Sequence, residues 1–126
     1  MEKYTAWDPI KGLLDTFYVE SIHDDYEGFR ILLQGDDKTT DVLRIKFDVA
    51  LAYRKVDEGD RWKTVSSNPE LQKSVFFIVE NSNWIDWFCN ESCGIHSSDE
   101  LIHYAIFTSN DCIDVLSAVE PSVEWL

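Results

Sequence analysis

Leu43-Arg44-Ile45-Lys46-Phe47-Asp48-Val49-Ala50-Leu51-Ala52-Tyr53-Arg54 decides how this chain is read. Leu43, Ile45, Phe47, Val49, Leu51 and Tyr53 recur at every second position. Arg44, Lys46, Asp48 and Arg54 fall on the opposite side. Side chains along a strand point alternately to its two faces, so the pattern predicts a strand with one dry and one wet face. The run is longer than most strands, which predicts a bulge or bend near Asp48. A helix over 48–57, closed by Gly59, competes, because Val49, Ala52, Tyr53 and Val56 also share a helical face.

Upstream, residues 17–22 are rich in aromatic and β-branched side chains, and 29–33 alternates as Phe29, Ile31, Leu33. The polar stretch 23–28 between them ends in Gly28, so the three together predict a hairpin. A polar break follows over 34–41. Near the start, Asp8-Pro9 predicts a capped helical turn within 7–14. Downstream, 57–60 predicts a turn, 61–65 a short edge strand, and Asn68-Pro69-Glu70 a brief helix reaching Lys73. Residues 75–80 predict a strand buried on both faces. Asn83 is the expected cap of a helix carrying Trp84, Ile85, Trp87, Phe88 and Cys89, with Gly94 at its end. Residues 101–108 predict the last central strand. Thr108 or Asn110 would then cap a short helix over Ile113 and Leu116, ended by Pro121, with 123–126 as a tail. The expected class is α+β: a mainly antiparallel sheet of about five strands with two to four short helices, in one domain over 1–126.

Composition narrows the function. The 126 residues carry 11 basic and 24 acidic side chains, a net charge of -13. No lysine or arginine follows Lys73, while Glu80, Asp86, Glu91, Asp99, Glu100, Asp111, Asp114, Glu120 and Glu124 do. A phosphate backbone needs a basic stripe, so nucleic acid is a poor partner. No apolar run approaches a membrane span. The first residues resemble neither a signal peptide nor a targeting helix, and three cysteines fit reduced thiols, so the expected compartment is the cytoplasm.

Few residues suggest chemistry. Cys89, Cys93 and His96 form C-x3-C-x2-H, and two thiols one helical turn apart suit a soft metal. Only Cys112, His23 and His103 remain to complete four ligands, so no metal or other cofactor is expected. A nucleophilic thiolate needs positive charge beside it, whereas Asp86 and Glu91 flank these cysteines. The acidic segments 24–28 and 57–60 lack the ligand spacing of a calcium loop and suit solvated turns. A small hydrolase using carboxylates with His103 or His96 stays open, because sequence gives no distances. The helix with Trp84 and Trp87 is apolar nearly all round. It is therefore either deeply buried or has one face against another protein, including a second copy in a self-associating subunit.

A small, acidic, tryptophan-bearing chain without an enzyme motif resembles the immunity proteins that bacteria co-express with toxic nucleases and other polymorphic toxins. Residues 53–61 (Tyr-Arg-Lys-Val-Asp-Glu-Gly-Asp-Arg) and 103–116 (His-Tyr-Ala-Ile-Phe-Thr-Ser-Asn-Asp-Cys-Ile-Asp-Val-Leu) also look like stretches of small uncharacterised bacterial proteins. The resemblance implies a tight complex with a basic toxin and no chemistry of its own. The residues expected to meet that basic protein are Trp84, Trp87, Asp86 and Glu91 on the helix, and Asp24, Asp25, Glu27, Asp57, Glu58 and Asp60 in the acidic turns. The protein itself is expected as a monomer or homodimer. Complementary charge would speed encounter, and desolvated anchors would slow release.

Overall fold

The structure is a computed structural model that describes residues 1–13, 16–35 and 41–126. Among the described residues, nine strands form two antiparallel sheets. They are β1 (Lys3–Ala6), β2 (Phe17–Asp25), β3 (Gly28–Gly35), β4 (Val42–Phe47), β5 (Ala50–Asp57), β6 (Phe76–Glu80), β7 (Ile102–Phe107), β8 (Asp111–Ser117) and β9 (Ser122–Trp125). One sheet has the order β1-β6-β7-β8-β5, the other β2-β3-β4-β9. The helices are α1 (Trp62–Ser67) and α2 (Asn83–Glu91), with 3-10 turns over Glu58–Arg61, Pro69–Gln72 and Ser98–Glu100. The α+β class with mainly antiparallel sheet holds, and a second sheet joins the expected one.

The deciding stretch is two strands, not one. The alternation of β4 buries Leu43, Ile45 and Phe47. At Asp48–Val49 the chain bends, and β5 continues in the other sheet. The helix over 48–57 is thereby ruled out. The return crossing lies between β8 and β9, and the two crossings meet at the buried Ser117. Its Oγ lies 2.8 Å from the Val49 carbonyl oxygen and 2.6 Å from that of Val119.

Phe17, Phe29, Ile31, Leu33, Leu43, Ile45 and Phe47 of the four-stranded sheet pack on Phe76, Tyr104, Ile106, Ile113 and Val115 of the five-stranded one. Alternate residues of β6, β7 and β8 face the other way. There Phe77, Val79, Ala105, Phe107 and Cys112 meet Tyr4, Val65 of α1 and Leu71. Leu116 meets Ile85 of α2 and Leu101. The fold is thus three layers: sheet, sheet, helices.

Several expectations are corrected. Residues 7–13 form no helix; Trp7 instead packs on Phe76 and Tyr104. Leu14 lies outside the described residues, as does 36–40 within the expected polar break, while Gln34 and Gly35 extend β3. The hairpin is longer and its turn tighter than expected, with Gly28 at φ 106, a backbone angle that glycine takes without strain. Residues 61–65 are not an edge strand, because Trp62 opens α1. The cap of α2 is Ser82, not Asn83: its Oγ accepts the Ile85 N–H at 3.1 Å. Beyond the helix, Cys93 and Gly94 take left-handed φ values of 55 and 78, and the Gly94 N–H donates to Cys89 O at 3.0 Å. Residues 111–117 are a central strand rather than a helix, and the tail pairs with β4 as β9.

Candidate functional site

The outer face of the five-stranded sheet carries two apolar clusters with a polar centre between them. Asp114 on β8 is paired in register with Ala105 of β7 on one side and Arg54 of β5 on the other. It has no exposed surface, and neither does His103. Asp114 Oδ1 lies 2.6 Å from His103 Nε2, and His103 Nδ1 lies 2.7 Å from Ser82 Oγ. Asp114 Oδ2 accepts from Arg54 Nε at 3.1 Å and from an Arg61 terminal nitrogen at 2.8 Å. Hydrogen-bond roles then follow along the chain. Ser82 Oγ accepts from the Ile85 N–H and still has its own O–H and a second lone pair to meet Nδ1, while Nε2 faces the carboxylate and donates to it.

Burial works against the charge of Asp114. The hydrogen bond from His103 and the guanidiniums of Arg54 and Arg61 outweigh it and hold the carboxyl at about 2. Next to it, burial pushes the Cys112 thiol up to about 11, despite Arg61. Cys112 is therefore a protonated core thiol at neutral pH. Ser82 is a helix cap, His103 belongs to β7, Asp114 to β8 and Arg54 to β5, and Arg61 lies just before α1. The network ties both helices to three strands.

By distance, Ser82–His103–Asp114 has the form of a nucleophile, a base and an orienting acid. Its setting favours a structural strut. The serine oxygen is committed to the helix cap. Two guanidiniums also compensate the carboxylate charge that a catalytic imidazolium would need. A cleft of about 620 Å³ is lined by Ser82 and His103 and also by Glu80, Asp86 and Asp99.

On the other side of the strut, a groove of about 590 Å³ lies between α1 and α2. Arg54, Val56 and Arg61 form its floor, Thr64 one wall, and Asn83, Trp84 and Trp87 the other, with Glu2 beside them. The Arg54 guanidinium lies 4.4 Å from the Trp84 ring centroid. The same indole meets His103 edge-on at 5.3 Å. Trp84 is therefore half-buried and held on both sides. Trp87, one turn on, is 57% exposed. Glu2 Oε2 accepts the Asn83 N–H at 2.9 Å, at the positive end of α2.

Of the residues expected at a contact surface, Trp84 and Trp87 line this groove. Glu91 is exposed one turn beyond Trp87, and the exposed Asp86 belongs to the neighbouring cleft. Asp57 caps the turn over Glu58–Arg61, accepting the Gly59 N–H at 2.9 Å, and Asp60 is exposed within it. The hairpin carboxylates belong to the other sheet. Asp25 and Glu27 pair with Arg30 there, and Asp24 is exposed. The run of carboxylates after Lys73 is also less uniform in space than in sequence. Asp111 pairs with Lys55, Asp114 with Arg54 and Arg61, and Glu124 with Arg44. Glu80, Asp86, Glu91, Asp99, Glu100 and Glu120 have no ion pair among the described residues.

Among the described residues, no three His, Cys, Asp or Glu side chains gather to hold a metal. Cys89 packs beside Ile85 and Leu101, Cys93 is exposed, and His96 lies against Phe88 at 5.4 Å. No described helix is long and apolar enough to cross a membrane. The residues that reasoning from sequence missed are Ser82, Asp114, Arg54 and Arg61. Comparison with family models, curated proteins and solved structures finds no match in any of the three.

Proposed function

We propose that this is a binding protein of the immunity type, which holds and neutralises a basic protein partner in the cytoplasm. The observation that carries the reading is Trp87, an indole 57% exposed on the wall of a preformed groove, with Trp84 and Arg54 beside it. Tryptophan and arginine are the residues that most often dominate binding energy, and an exposed indole on a rigid helix loses little entropy on contact. The unpaired carboxylates Asp86, Glu91, Asp99 and Glu100 belong to α2 and the turn after it, and they supply the field that attracts a cation-rich surface. The test asks whether an adjacent gene encodes a basic, toxic protein and co-expresses the two. Protection from its toxicity, with association that slows as salt is raised, is the expected result. A partner that binds at the same rate from low to high salt would count against electrostatic steering.

A second reading, hydrolysis at Ser82, is favoured by one observation, the two short distances through His103. Labelling of Ser82 by a fluorophosphonate would establish a reactive serine there. An unlabelled folded protein would leave the strut as the role of the three residues.

A further inference from the structure

We propose that the groove between α1 and α2 takes one carboxylate on an apolar stem, an Asp or Glu side chain of the protein partner, held by the Arg54 guanidinium between Trp84 and Trp87. This deepens the binding reading and rests on it. Arg54 is fixed in two ways: Nε donates to Asp114 and the guanidinium stacks on Trp84. Its two terminal nitrogens have no hydrogen-bond partner among the described residues. A guanidinium whose plane is already set presents a fork matched to a carboxylate, and loses less freedom in binding it.

Charge selects the class of ligand. Arg54 and Arg61 share the single carboxylate of Asp114, so neither guanidinium has a carboxylate of its own within the strut. Glu2 directs its carboxylate to the Asn83 N–H and makes no ion pair with either arginine. With Glu2 on the wall and Glu91 one turn beyond Trp87, a phosphate dianion meets more repulsion than a carboxylate does. The exposed face of Trp87 suits the methylene stem of the incoming residue. A partner lacking that carboxylate would cover Arg54 without pairing it. The groove would then act as a selector within a surface that attracts basic proteins generally.

The experiment uses the isolated protein with three probes: N-acetyl-glutamyl amide, its neutral glutaminyl counterpart, and inorganic phosphate. The Arg54 Nε–H resonance and tryptophan fluorescence are followed. The glutamyl probe should give a saturable shift that the glutaminyl probe does not. Arg54→Gln should weaken it by roughly tenfold or more, as loss of a charge-assisted hydrogen bond does. In Arg54→Gln, Asp114 keeps Arg61 and His103, and thermal unfolding checks the fold. Trp87→Ala, at an exposed site, provides a second variant and should also weaken the probe. No shift with the glutamyl probe, an equal shift with the glutaminyl probe, or tighter binding of phosphate would each overturn the proposal. None of these outcomes touches the basic partner. Retained partner binding without a carboxylate response would remove this inference alone, and the reverse would remove the partner reading alone.

Discussion

Ile113 and Asp114 are neighbours on β8, both without exposed surface, yet they point into two different interiors. Ile113 faces the core between the sheets, among aliphatic and aromatic side chains. Asp114 faces the helices, where a hydrogen-bonded chain joins Ser82, His103, Arg54 and Arg61. The dry face depends on shape and area, and tolerates apolar exchange. The polar face depends on completeness, because Asp114 or His103 left without its partner is a buried polar group facing no water. That face also bears the groove, so the side of the sheet that is costlier to alter is the one that positions Trp84 and Arg54.

The sharpest way to break this contrast is to compare the two neighbours. Asp114→Ala removes one partner of a buried ion pair and should lower stability by about 3–5 kcal/mol. Ile113→Val removes one methylene from the dry face and should cost about 0.5–1.5 kcal/mol. Urea unfolding of both variants provides the comparison. Equal losses would mean that the strut contributes no more than ordinary packing.

Acid should separate the faces next. The folded pKa of Asp114 is about 2, below the ordinary value of 3.8, so its contribution is the stabilising kind that acid removes. It is complete above about pH 4 and lost as the pH falls towards 2. Its size is on the order of 2 kcal/mol. Asp114→Asn should flatten this part of the stability profile, although its overall stability is lower. An unchanged acid profile in that variant would assign the loss to other carboxylates.

Much of the dry face is legible in sequence, because it is written in periods. Leu43, Ile45 and Phe47 alternate, Phe29, Ile31 and Leu33 alternate, and 75–79 is apolar throughout. The switch of sheets at Asp48 is not legible: alternation continues through Val49 and Leu51, and nothing local says that the partner strand changes. Strand β8 was hidden for a related reason. Cys112, Ile113, Asp114, Val115 and Leu116 are all buried, so no alternation survives, and Ile113 with Leu116 imitates a helical face. The polar centre could not be assembled from sequence, since Ser82, His103 and Asp114 are 21 and 11 positions apart. One signal was available. A carboxylate inside Cys-Ile-Asp-Val-Leu and an imidazole inside 101–107 are polar groups in apolar runs, and such groups need partners.

Ser82→Ala tests whether the strut also shapes the groove wall. It removes the cap of α2 and the hydroxyl facing His103 Nδ1, and should cost about 1–2 kcal/mol. The loss should concentrate at the start of α2. Hydrogen exchange should therefore speed at Asn83, Trp84 and Ile85 while β3 and β4 stay protected. Uniform acceleration in both sheets would show that the two interiors unfold as one unit.

Trp87→Ala should have the smallest effect on stability and the most specific effect on function. The side chain is 57% exposed and takes part in no ring contact among the described residues, so unfolding should move by no more than about 0.5 kcal/mol. Partner affinity should fall by about 2 kcal/mol or more if Trp87 is a contact anchor. Trp84→Ala is the matched control. Its indole lies against both Arg54 and His103, so it should lower stability and binding together. The pair of variants thus separates the strut from the surface it supports. If Trp87→Ala leaves affinity unchanged while Asp57, Asp60 or the hairpin residues Asp24 and Glu27 reduce it, the contact lies on the acidic turns. The groove would then be a consequence of the strut and not its purpose.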